Sequence, residues 1–126
     1  MATKTTHKAG EQTAVDYFKA KLLFESTPHQ LKADLEKGKV YLLDVRDPES
    51  FAKEHIPGAK NIHAPDLPKH LKEPPKDKTI VTYCWNITCA MAPKAALQLA
   101  EKGFKVQELV GGLDEWKKKF PTEGKE

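Results

Sequence analysis

Apolar positions along the chain follow two spacings, and each spacing predicts its own kind of element. Between Glu11 and Phe24, Val15, Phe18 and Leu22 recur at helical intervals and are expected to form a buried face. Thr27-Pro28-His29-Gln30 predicts a second helix start, with Thr as cap, Pro at the first position and Gln placed to close a capping box. Leu31 and Leu35 face inward in that helix, and Gly38 ends it. Val40-Tyr41-Leu42-Leu43-Asp44-Val45 is a short apolar run of the kind found in a parallel strand buried on both faces. Asp47-Pro48 opens a short helix carrying Phe51, and Ile56-Pro57-Gly58-Ala59 is a turn. Asn61-Ile62-His63 is at most a short strand, and Pro65 to Leu71 holds about one helical turn. Thr79-Ile80-Val81-Thr82-Tyr83, β-branched and aromatic, is the clearest strand. A helix through Ala95, Leu97, Leu99 and Ala100 stops at Gly103, Val106 to Val110 forms a last strand, and Leu113 to Lys119 a last helix.

Strands and helices alternate, which predicts an α/β domain with a parallel sheet and helices on both faces. The boundaries expected are a disordered, Lys-rich stretch over residues 1–10, a helical extension over 11–26, a domain over 27–120 and a disordered tail over 121–126. A chain of 126 residues has room for one core and no more.

Charge and composition narrow the function classes. The net charge of +3 is dispersed, and Arg46 is the only arginine. Lys117-Lys118-Lys119 is the one basic run and suits a solvated helix end, where positive side chains complement the dipole. Nucleic-acid sites pair clustered cations with stacking platforms, and no such cluster stands here. No apolar run is long enough to span a bilayer, and the polar stretch Met1 to Thr6 lacks a signal-like segment, so a cytoplasmic location is expected. His55, His63 and His70 are scattered, so no metal is expected, and His55 is read as a hydrogen-bonding loop residue. Cys84 and Cys89 stand five residues apart and read as reactive thiols more naturally than as a structural staple.

Position singles out Cys84. In open α/β sheets, ligands bind beyond the carboxyl ends of the strands, and Cys84 directly follows the strand ending at Tyr83. Pro93 is tolerated only in a first turn, so the next helix is expected to begin between Thr88 and Ala92. Its free N–H groups would then face the Cys84 sulfur, an arrangement that favours the nucleophilic thiolate.

Four segments together resemble the rhodanese domain in order and spacing. They are Leu43-Asp44-Val45-Arg46-Asp47, His55-Ile56-Pro57-Gly58-Ala59-Lys60-Asn61-Ile62, Tyr83-Cys84, and Gly111-Gly112-Leu113-Asp114-Glu115-Trp116. The resemblance covers roughly Thr27 to Phe120, leaving the first helix as an addition to the minimal domain. It implies a parallel sheet of about five strands, with the active cysteine at the base of a loop. It also implies that this cysteine takes a sulfane sulfur as a persulfide and passes it to a nucleophile, with no cofactor.

The loop refines that expectation. The related dual-specificity phosphatases carry an arginine six positions after the cysteine; Ala90 stands there, so phosphate has no bidentate partner. Compared with the sulfurtransferase loop, Trp85 stands where a basic residue is frequent, Ile87 where Gly is frequent, and Cys89 where Arg is frequent. The neutral segment Trp85-Asn86-Ile87-Thr88 predicts a donor less charged than thiosulfate, such as a polysulfide or a protein persulfide, with a thiol as acceptor. Backbone amides of Trp85 to Cys89 are expected to stabilise thiolate and persulfide. Cys89 either packs at the helix start or reaches Cys84, which requires Cα atoms within about 7 Å. Asp44 and Arg46 are expected to support the site, Arg46 by pairing with carboxylates, and Trp116 to pack in the core. The other reading of the same residues is a non-catalytic or redox-sensing module that uses the Cys84/Cys89 loop. The additional N-terminal helix suits a homodimer.

Overall fold

The computed structural model describes residues 9–125, so residues 1–8 of the stretch expected to be disordered lie outside the described part. The elements are α1 (Ala9–Phe24), β1 (Glu25–Ser26), α2 (Pro28–Glu36), β2 (Val40–Asp44), α3 (Pro48–Lys53), β3 (Lys60–Asn61), a 3-10 segment (Ala64–Lys69), β4 (Thr79–Tyr83), α4 (Met91–Glu101), β5 (Val106–Leu109) and α5 (Gly112–Trp116). Five strands form one sheet in the order β1-β5-β4-β2-β3, and every pairing is parallel.

Alternation along the two central strands divides the core in two. On β2 and β4, Leu43 and Ile80 point to one face, where Ala95 and Leu99 of α4 cover them together with Leu67. Leu42 and Val81 point to the other face, against Leu31 of α2 and Leu113 and Trp116 of α5. Both faces being covered explains why these strands read as continuous apolar runs. Trp116 is buried as expected, and its Nε1–H donates to the Pro121 carbonyl at 2.9 Å.

Local chemistry sets the element ends. Thr27 caps α2 by accepting from the Gln30 N–H at 3.2 Å, but the Gln30 amide donates forward to Asp34 instead of closing the box. Asp47 caps α3 by accepting from the Ser50 N–H at 2.9 Å. These bonds fix the two helices that follow and precede β2.

Two expectations are corrected. Phe18 and Leu22 of α1 are 56% and 84% exposed, not buried, because α1 leads into the two-residue edge strand β1 and has no layer opposite that face. On α4, Leu97 is likewise 59% exposed. Residues 121–125, expected as part of a disordered tail, are held to the domain, and Glu126 lies outside the described residues. Glu123 and His55 exchange backbone hydrogen bonds at 2.8 and 3.0 Å, and the Lys125 N–H donates to the Ala52 carbonyl at 2.7 Å. His55 Nδ1 also meets the Phe51 carbonyl at 2.7 Å, so this histidine fastens the loop to α3. No described helix is long and apolar enough to cross a membrane.

Candidate active site

β4 is the middle strand of the five, and its chain leaves the carboxyl edge of the sheet at Cys84. The Cys84 side chain turns to the α4 face and is only 2% exposed. Two backbone bonds hold the start of the loop against α5: Leu113 N–H to the Cys84 carbonyl and Asp114 N–H to the Trp85 carbonyl, both at 3.0 Å. That approach requires Gly112. A Cβ there would lie 2.5 Å from the Cys84 carbonyl oxygen, and its φ of +60° disfavours a side chain as well.

The rest of the loop is organised by Asn86. Its Oδ1 accepts from the Thr88 N–H at 3.1 Å and from the Thr88 hydroxyl at 2.9 Å, and its carbonyl accepts from the Cys89 N–H at 3.2 Å. The curl brings Cys89 back over Cys84, with Cα atoms 6.4 Å apart and the two sulfurs joined in a disulfide. Of the two expectations for Cys89, packing at the helix start or reaching Cys84, this state shows the second, with the pair bridged. Cys89 is half-buried beside the apolar cluster that contains Cys84. The amide cradle expected from Trp85 to Cys89 is reduced, because the Thr88 and Cys89 N–H groups turn to Asn86. α4 begins at Met91, inside the expected window, with Pro93 in its first turn.

Asp44 and Arg46 lie beside this loop at the end of β2, both side chains fully buried. Arg46 Nε donates to both Asp44 oxygens at 3.0 and 3.1 Å, and Nη2 donates to Asp44 Oδ2 at 2.7 Å and to the Glu54 carbonyl. Burial opposes the guanidinium charge, yet Asp44 holds the Arg46 pKa above its ordinary value. Nη1 is buried without a hydrogen-bond partner, and the guanidinium lies 4.4 Å from the centroid of the Trp85 ring. Burial, followed by the nearby Asp44 charge, pushes the Tyr83 hydroxyl well above its usual range. That hydroxyl accepts from the Ile56 N–H at 3.1 Å, so the turn expected at Ile56 is pinned to β4.

A cleft of about 730 Å3 opens beside the loop, between the start of α2 and α5. Asn86 and the 77% exposed Ile87 line its wall, with Thr27, Gly111 and Lys118 opposite. Cys84 does not line it; the sulfur is closed off under the bridge. Cys89 is thus brought onto Cys84, Asn86 and Ile87 line the neighbouring cleft, and Arg46 meets the loop at the Trp85 ring. The organising role of Asn86 escaped the sequence reading, although Asn two residues before Thr is a recognisable turn signal.

A model of the rhodanese-like domain matches residues 27–119. The chain belongs to the rhodanese-like domain family. The thiosulfate sulfurtransferase GlpE of Coxiella burnetii is 33% identical over 89 residues, covering 70% of this chain and 81% of that protein. The HTH-type transcriptional regulator Rv0324 of Mycobacterium tuberculosis is 42% identical over 82 residues, covering 65% of this chain but only 36% of the regulator. The crystal structure of BH2092 from Bacillus halodurans superposes with a TM-score of 0.82 at 37% identity, covering 90% of this chain and 85% of that one. The five-stranded parallel sheet is thus the rhodanese-like fold, and Cys84 occupies the loop base at its carboxyl edge.

Proposed function

We propose that this rhodanese-like chain is a sulfurtransferase in which Cys84 carries the sulfur. The observation that supports it most is the placement of Cys84 at the carboxyl edge of the middle strand, under a loop that leads into α4. In the first half-reaction the Cys84 thiolate attacks the sulfane sulfur of a donor, and the donor's leaving group departs with the electrons of the broken bond. In the second, a thiol acceptor attacks the outer sulfur of the persulfide and expels the Cys84 thiolate.

The relative named for thiosulfate supports the reaction class, and the loop bears on the donor. Trp85, Asn86, Ile87 and Thr88 carry no charge, so a dianion gains little from them beyond backbone dipoles. An organic or protein persulfide, with at most one charge on its sulfur chain, is the better match.

Mass spectrometry of the reduced protein after anaerobic incubation with inorganic polysulfide tests the reading. In a Cys89→Ser background, the expected result is a gain of about 32 Da on Cys84 and conversion of added cyanide to thiocyanate. The Cys84→Ser/Cys89→Ser double variant should show neither. Full adduct in the double variant, or none in Cys89→Ser, would overturn the assignment.

A further inference from the structure

We propose a further activity for this loop: Cys89 discharges the Cys84 persulfide internally, releasing sulfide, so that the chain acts as a sulfane-sulfur reductase. The proposal rests on Cys84 being the sulfur carrier, as argued above.

Three observations carry it. The two sulfurs are joined within one chain, and their Cα atoms stand 6.4 Å apart, so the loop accommodates the bridge as part of the fold. The three hydrogen bonds to Asn86 hold the curl that sets Cys89 over Cys84. Cys89 packs beside the apolar cluster containing Cys84, on the same side of the sheet. A thiol tethered in this way competes at an effective concentration on the order of millimolar or more against any dissolved thiol.

The geometry also selects which sulfur is attacked. Attack of Cys89 on the outer sulfur would only move the sulfane sulfur along the loop. Attack on Cys84 Sγ makes the bond present in the structure. In that step the Cys89 thiolate bonds to Cys84 Sγ, and the bond from Sγ to the outer sulfur breaks. The departing sulfur keeps the electron pair, takes one proton and leaves as hydrosulfide. The sulfane sulfur gains two electrons, and each cysteine sulfur loses one, so no external oxidant is consumed. A dithiol reductant, small or protein-borne, then restores both thiols and becomes a disulfide itself.

The test follows protein mass without oxygen, with inorganic polysulfide as probe. Reduced wild type is expected to lose about 2 Da and to show a Cys84–Cys89 peptide link, with no persulfide accumulating. A dithiol then regenerates it for further sulfide release. Cys89→Ser should instead hold about 32 Da of added sulfur on Cys84 and stop at one equivalent. Asn86→Ala should slow formation of the link several-fold relative to that variant's own rate of sulfur loading. A stable wild-type persulfide on Cys84 with Cys89 free, or a persulfide found on Cys89, would overturn internal discharge and leave the sulfurtransferase standing. Failure of Cys89→Ser to load any sulfur would instead overturn the carrier assignment.

Discussion

The indole ring of Trp85 lies over the guanidinium of Arg46, with 4.4 Å between the ring centroid and the guanidinium carbon. This contact joins the loop to the buried ion pair behind it, and it covers a cation whose Nη1 has no hydrogen-bond partner. Stacking of this kind contributes about 0.5–2 kcal/mol, more where water is excluded.

Trp85 therefore has two effects that a substitution separates. Trp85→Arg removes the stacked ring and should lower Tm by a few degrees, because two guanidinium groups cannot share that position without repulsion. The new side chain turns to the loop mouth, where a positive charge should raise kcat/KM for thiosulfate about five-fold, equivalent to about 1 kcal/mol. Steady-state assays with thiosulfate and with an organic persulfide check this. A wild type that already prefers thiosulfate would refute the link between loop charge and donor.

The Asp44–Arg46 pair should be costly to break from one side. Both side chains are fully buried, and Arg46 also holds the Glu54 carbonyl. Asp44→Asn leaves the guanidinium with no countercharge and should destabilise by about 3–5 kcal/mol. Urea unfolding of Asp44→Asn, Arg46→Met and the double variant should show the double costing less than the sum of the singles. Simple additivity would show that the two residues act independently.

Legibility in the sequence divides along the range of the forces involved. Thr27, Asp47 and Pro93 act within one helical turn, so helix starts were readable from a few neighbouring residues. β2 and β4 are buried on both faces and carry the apolar runs that such burial demands. Cys84 was legible because a strand end is a position along the chain. β1 was not, since its two residues pair only through a distant partner, β5. The ordering of residues 121–125 depends on backbone bonds to α3 and His55, which a Lys, Glu and Gly composition does not encode. Helical spacing in α1 was real, but spacing says nothing of whether a layer lies opposite it.

One carboxylate should give the edge of the sheet a pH dependence. Glu108 sits opposite Glu25 in the β1–β5 register, and Lys21 pairs with Glu25 at 2.9 Å. Burial first, and the Glu25 charge second, raise the Glu108 pKa above its ordinary value of 4.5. A carboxyl raised in the folded state costs no stability below its unfolded value, where it is protonated in both states. The cost grows as pH rises from the unfolded value to the raised folded value and is complete above the latter. Glu108→Gln should therefore raise Tm at pH 7 and have little effect near pH 4 (about the unfolded carboxyl range). Equal gains at both pH values would assign the effect to packing instead of charge.

Gly112 should matter to the chemistry through its contact with Cys84. Both Gly111 and Gly112 have positive φ, +79° and +60°, so alanine at either position pays for an unfavourable backbone. Their surroundings differ. A Cβ on Gly111 meets Glu115 Cγ at 2.2 Å and Cβ at 2.6 Å, so the first turn of α5 must shift, but it touches no backbone of the loop. A Cβ on Gly112 meets the Cys84 carbonyl at 2.5 Å and the Trp85 backbone at 3.0 Å, neither of which moves without the loop. Gly111→Ala should thus cost about 1–2 kcal/mol from the backbone alone, and more from the Glu115 clash, while disturbing sulfur loading less than Gly112→Ala. Gly112→Ala should instead loosen the Leu113 bond that positions the base of the loop. In a Cys89→Ser background, loading of Cys84 by polysulfide, followed as thiocyanate formed with cyanide, should then fall at least ten-fold even at temperatures where the variant remains folded. Equal loading in the two variants would show that the loop base holds Cys84 in place without help from α5.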